Sequence, residues 1–155
     1  MFMFVAIAMK SQIDFQGVYI GYKQEKVEKK VSLNNAPYYL SSFVTKDGFA
    51  AGVTCIPVSY DKNSDLVRFV SETEFTTLVQ SISNSFGVEM DWIKDDFLYF
   101  GSKNELFYSV AIVDIKEGFR KDDVLYLIKL IIFNSALYDK WLEENPTENK
   151  NIRNN

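Results

Sequence analysis

The sequence predicts an α+β fold: one antiparallel sheet of five or more strands with two main helices packed against it. Two sets of observations predict it. Runs rich in β-branched and aromatic residues flank Asp47-Gly48 and again flank residues 101–104, and both patterns are hairpin signals. Two other segments, residues 71–87 and 122–146, carry helix start and stop signals. Residues 1–145 read as a single domain and residues 146–155 as a polar, disordered tail. No internal repeat and no interdomain linker is visible.

Taken in order, residues 1–9 read MFMFVAIAM. Ala6-Ile7-Ala8 imitates a small-x-small cleavage site, but no Lys or Arg precedes the run, and it is shorter than a usual signal peptide. It also falls well short of the roughly 20 apolar residues that span a bilayer. It reads as a buried strand or a short helix opening the domain. Residues 18–33 read as a loose hairpin with one wet face, because Val27, Lys29, Val31 and Leu33 alternate with more polar neighbours. Lys29-Lys30 suits a solvated edge that discourages stray strand pairing. Asn34-Asn35-Ala36-Pro37 is a turn. Residues 38–46 and 49–58 then flank Asp47-Gly48, a turn whose two central residues favour positive φ. Pro57 ends that second strand or places it at an edge.

Residues 60–65 form a polar loop. Ser71 then opens a helix, with Ser71 and Glu74 spaced as a capping box. Phe75, Leu78, Val79, Ile82 and Phe86 form its apolar stripe, and Gly87 its left-handed stop. Residues 88–93 read as a short strand, and residues 96–100 and 106–114 as a hairpin around Gly101-Ser102-Lys103-Asn104. Gly118 closes a turn. Asp122 and Asp123 suit the positive end of a long helix running to Glu144, with Pro146 ending it.

Composition narrows the chemistry. The chain has 155 residues, no histidine and one cysteine. Histidine is the side chain that titrates near neutral pH and the commonest metal ligand. Without it, Ser-His and Cys-His nucleophile pairs and Cys/His zinc sites are unavailable. A chain this long can bury about two thirds of its unfolded surface, so it needs no disulfide or metal staple. Cys55 has no partner for an internal disulfide; it suits a reducing cytoplasm and reads as a small buried apolar residue. The net charge of −4 disfavours binding to phosphate backbones.

The motifs are few. Asp61, Asn63, Asp65 and Glu72 have the oxygen spacing of a calcium loop. However, Leu66 stands where such a loop needs glycine for its sharp turn, and Arg68 where an apolar residue is usual. The segment reads as a polar loop leading into the capped helix, with no metal. Asp91, Asp95 and Asp96 gather around Trp92 and Lys94. Paired carboxylates serve glycoside hydrolysis when one is buried enough to hold a proton, but a charged loop between strands reads as solvated. The glycines show no phosphate-cradling pattern. No catalytic residue and no cofactor is expected.

The segment 124–133, VLYLIKLIIF, is apolar nearly all round, with Lys129 its only charge. Read as a helix, it has one broad face for the sheet, and Leu125, Ile132 and Tyr138 pointing away, with Trp141 at the boundary. A helix of this kind needs covering on more than one side. These four residues are therefore expected to meet a partner or a second copy of the chain.

The stretch DDFLYFGSKNELFYSVAIV followed by KDDVLYLIKLIIFNSALYDKWLEE resembles the α/β sandwich of type III secretion chaperones and related chaperone-like sensory proteins. Small size and acidity are similar too. The resemblance implies a bacterial, cytoplasmic dimer that wraps an extended segment of a secreted effector. The function expected is thus a non-enzymatic protein-binding module, chaperone- or adaptor-like, with another protein or a second copy as partner, and neither nucleic acid nor membrane. The alternative is an immunity-type inhibitor that neutralises a toxin through exposed carboxylates, with Asp91, Asp95 and Asp96 beside Trp92, or Asp61 and Asp65, as its contacts.

Overall fold

Turn chemistry sets the strand order in the computed structural model, which describes residues 13–120 and 123–148. The strands are β1 (Ile13–Phe15), β2 (Val18–Ile20), β3 (Glu28–Leu33), β4 (Ala36–Val44), β5 (Ala50–Pro57), β6 (Asp91–Ile93), β7 (Leu98–Lys103), β8 (Leu106–Glu117) and β9 (Val124–Asn134). Helix α1 (Glu72–Phe86) follows β5, and α2 (Ser135–Glu144) follows β9. Gln16-Gly17, Asn34-Asn35 and Asn104-Glu105 each carry two consecutive positive φ values. Such pairs close two-residue hairpins whose twist matches that of the strands. They join β1 to β2, β3 to β4 and β7 to β8.

Two turn expectations are corrected here. At Asp47-Gly48 only Gly48 has positive φ (90°), and its N–H donates to the Thr45 carbonyl at 2.9 Å. The register shifts between Phe43 and Val44, where Ala51 is the extra residue on β5. Gly101 is no turn residue but lies within β7. A Cβ there would sit 2.3 Å from the Glu89 carbonyl oxygen, so the close approach of the segment leading into β6 requires glycine.

β1 and β2 form a separate ribbon. The other seven strands form one antiparallel sheet in the order β3-β4-β5-β9-β8-β7-β6. The loose hairpin expected over residues 18–33 does not form, because β2 pairs with β1 and β3 with β4. The strand rather than helix at Val124–Asn134 is the main correction. β9 occupies the slot between β5 and β8, where both faces are covered at least in part, and such a strand is apolar without clear alternation. Its Val, Ile, Tyr and Phe residues are also strand formers. Ile128, Leu130 and Ile132 are fully buried on one face, while Leu127, Lys129, Ile131 and Phe133 lie half-buried on the other.

The first of these faces is the core side. Helix α1 lies across it. Ser71 accepts the Glu74 N–H at 3.1 Å, and left-handed Gly87 ends the helix, both as expected. The return half of the capping box is absent: the Glu74 carboxylate turns to Arg68 instead, accepting two hydrogen bonds at 2.8 and 3.0 Å. Tyr38 Oη donates to the same carboxylate at 3.1 Å, and Arg68 Nε donates to the Val58 carbonyl at 2.9 Å. Burial and the Glu74 charge push the Tyr38 hydroxyl above its ordinary range. This bidentate, partly buried network ties the 58–70 loop to α1. Phe75, Leu78, Val79 and Ile82 are buried beneath the helix, and Phe86 packs on Phe15 and Tyr108.

Helix α2 covers one end of the opposite face. Asn134 caps it, accepting the Leu137 N–H at 3.1 Å. Lys140 reaches Asp47 at 2.8 Å, and Glu144 accepts the Lys46 N–H at 2.8 Å. Residues 146–148, expected to belong to a disordered tail, continue in a helical turn. The expectations for residues 1–9, Asp122 and residues 149–155 lie outside the described residues.

Two expectations follow. Leu78 is 2% exposed, so Leu78→Ala should lower stability by about 2–5 kcal/mol in urea unfolding; a loss under about 1 kcal/mol would show a loosely packed helix. The Lys140 and Thr45 hydrogen bonds hold Asp47 well below the usual carboxylate range, at about 2. Its contribution to docking α2 is therefore present above about pH 4 and lost as pH falls toward 2. Trp141 fluorescence, read in a Trp92→Phe background, should change over that interval, and Asp47→Asn should remove the acid step.

Candidate protein-binding edge

The sequence placed contact residues in two groups, and the fold separates them. In the first, Ile132 is fully buried in β9, opposite Val53 and Tyr108. It has no outward helical face and is unavailable to a partner. Leu125 is half-buried in β9 and lines a recess of about 490 Å³ with Tyr60, Phe69 and Lys116. Tyr138 and Trp141 do lie on a helix, α2, but they are committed internally. Tyr138 packs on Phe133 at a centroid distance of 4.4 Å, and Trp141 on Phe43 at 4.8 Å. These ring pairs anchor α2 to the sheet. The cover that an all-round apolar segment needs comes from the sheet itself, with β5 and β8 on its two sides.

The second group stays together and exposed. Asp91 and Trp92 lie on β6, and Asp95 and Asp96 on the short 3₁₀ turn Lys94–Asp96 that follows. β6 is the last strand of the sheet, so its outer backbone is an edge. Strand alternation sends Asp91 and Trp92 to opposite faces. Trp92 takes the α1 side and remains 41% exposed. Its ring lies 5.0 Å from that of Tyr99, which lies 5.7 Å from Phe75, which in turn lies 6.0 Å from Tyr126. The four rings wall a cleft of about 290 Å³ between α1 and the sheet, with Ile112 also lining it and Glu72 and Thr76 at its polar lip.

The edge continues beyond β6. Phe97 is left-handed (φ 50°) and 54% exposed. It ends the turn, and its carbonyl accepts the Ile112 N–H at 2.8 Å. β7 therefore starts at Leu98, level with Ala111, whereas β8 runs on to Glu117. Sequence reasoning missed Tyr99, Phe97 and this overhang. Two signals were present: the acidic turn at Asp95-Asp96, which cuts β7 short, and an apolar alternation on β8 that outlasts it.

Other constellations have structural roles. Asp61 Oδ1 accepts the Asn63 N–H at 3.0 Å, and Lys30 Nζ donates to the Asp61 and Ser64 carbonyls at 2.8 and 3.0 Å. The calcium-like loop is thus stapled to β3. Among the described residues no three Cys, Asp or Glu side chains gather into a group that could hold a metal ion. Cys55 is buried on β5 opposite Leu130, and burial pushes its thiol up to about 12. Among the described residues no helix is long and apolar enough to cross a membrane. Compared with known proteins, the chain matches no family model, no curated protein and no solved structure.

Proposed function

We propose that this chain is a non-enzymatic protein-binding module, chaperone- or adaptor-like, that takes a segment of another protein along β6 and into the aromatic cleft. One observation supports this reading above the others: Trp92 is half-exposed on an edge strand, its ring tilted against that of Tyr99, with Asp91, Asp95 and Asp96 exposed beside it. A tryptophan on a rigid support, rimmed by charge, has the make-up of an interface hot spot. The edge offers main-chain hydrogen bonds to an extended segment, and the cleft offers a pocket for one of its side chains. The carboxylates favour a basic segment and repel nucleic acid.

The non-enzymatic part of the reading rests on the absent histidine and on a lone thiol held protonated by burial. No cofactor enters the reading. The partner fits the class of a secreted effector or a toxin, met in the cytoplasm and away from membranes. A second reading, an immunity-type inhibitor, is favoured by the three carboxylates being exposed together, since an acidic cluster speeds encounter with a basic toxin surface.

The test starts from capture of a partner by the full chain in its native source, followed by titration calorimetry on the purified pair. Trp92→Ala should weaken binding about tenfold or more, while Asp61→Asn, on a distant loop, should leave it unchanged. Unaltered affinity in Trp92→Ala would remove the cleft from the reading. An association rate that collapses with salt and with Asp95→Asn would select the inhibitor over the chaperone.

A further inference from the structure

We infer that the overhang of β8 is a self-pairing edge, through which two copies of the chain join their sheets. Among the described residues no strand pairs with the outer side of residues 113–117. Tyr126, opposite Ile115 in the β8–β9 ladder, exchanges both backbone hydrogen bonds with Val70 on its other side, at 2.7 and 2.8 Å. In an antiparallel ladder, a residue opposite such a partner turns its own N–H and C=O outward. Ile115 therefore presents its backbone to the open edge. Among the described residues, its N–H is met there by the neighbouring Asp114 carboxylate, at 2.9 Å. Val113 and Ile115 are 59% and 51% exposed. A bare, apolar strand edge is a template for another strand.

The stretch reads Val-Asp-Ile-Lys-Glu, and this identifies a second copy as the occupant. Antiparallel pairing about a two-fold axis at Ile115 sets Ile115 against its own copy. It sets Asp114 against the other copy's Lys116, and Lys116 against the other copy's Asp114. Residues directly opposite share a face, and opposite charges there attract. Asp114 and Lys116 lie on the same face, across from Leu127 and Leu125, and Lys116 is already held over the Phe69 ring at 4.3 Å. Length agrees as well. The open stretch is bounded by Phe97 beside Ile112 and by Gly118, where the chain leaves the sheet to bond with Asp123. Each copy thus turns away where the other's β7 begins. The contact is isologous and closed, as in most homodimers.

This surface is distinct from the Trp92 cleft, so the two readings can fail separately. The experiment is sedimentation equilibrium of the full chain from micromolar to submillimolar concentration. Wild type should reach twice the 17.9 kDa chain mass. Asp114→Lys and Lys116→Asp should each weaken association about tenfold or more, since each sets like charges opposite one another. A one-to-one mixture of these two variants should regain the dimer, because each cross-strand pair between the unlike copies then joins a lysine to an aspartate. The double exchange in one chain should regain it too. A monomeric wild type at every concentration would overturn the proposal. So would single variants that dimerise as wild type does, or a mixture that stays monomeric. Trp92→Ala should leave the mass unchanged.

Discussion

β9 holds this fold together, because among the described residues it alone pairs with both of two otherwise local sets of strands. β3, β4 and β5 follow one another in sequence and pair as a meander, and so do β6, β7 and β8. Neither set reaches the other. β9 comes last and fills the gap, pairing Leu130 with Cys55 on one side and with Val110 on the other. A strand in that position must be apolar toward both layers. Ile128, Leu130 and Ile132 complete the floor beneath α1, and Phe133 supplies the ring on which α2 rests. Even the neighbouring glycine follows from it: a Cβ at Gly52 would stand 2.6 Å from the Ile132 carbonyl oxygen.

The same arrangement decides what is left outside. Once β9 is central, the sheet ends in two unlike edges. At β3, Lys29 and Lys30 guard the edge, and Lys30 also staples a neighbouring loop. At the other end β6 is only three residues long, and β8 projects past β7. Among the described residues, Trp92, Ile93, Phe97, Val113 and Ile115 are exposed side by side in sequence and sheet at this second end. Carboxylates accompany them, among them Asp91, Asp95, Asp96 and Asp114, all exposed. Both the partner reading and the self-pairing edge follow from where β7 stops.

Local signals are legible in the sequence, and long-range ones are not. The Ser71 cap, the buried stripe of α1 and the Gly87 stop can be read because each depends on residues within a few positions of one another. The β4–β5 and β7–β8 pairings are legible for the same reason, though not every turn residue is, and the hairpin read over residues 18–33 does not form. The 124–134 run reads wrongly as a helix because periodicity alone does not separate a strand buried on both faces from a buried helix. The deciding fact is the vacant slot between β5 and β8, which no local window contains. Its β-branched and aromatic content, and Lys129 falling on the half-exposed face, are the available hints. The acidic turn at Asp95-Asp96 reads as exposed and is so. Its cleft is invisible at that level, because Tyr99, Phe75 and Tyr126 come from three separate elements.

The central claim is that β9 is the shared strand of both halves, and native-state amide hydrogen exchange on the full chain tests it most directly. The amides of Leu130 and Ile132 in β9, with those of Val53 and Cys55 in β5, should be among the last to exchange, opening only with global unfolding. Exchange of residues 124–134 well before α1 and the β7–β8 hairpin would contradict the account, since the two halves would then be holding together without the strand said to join them.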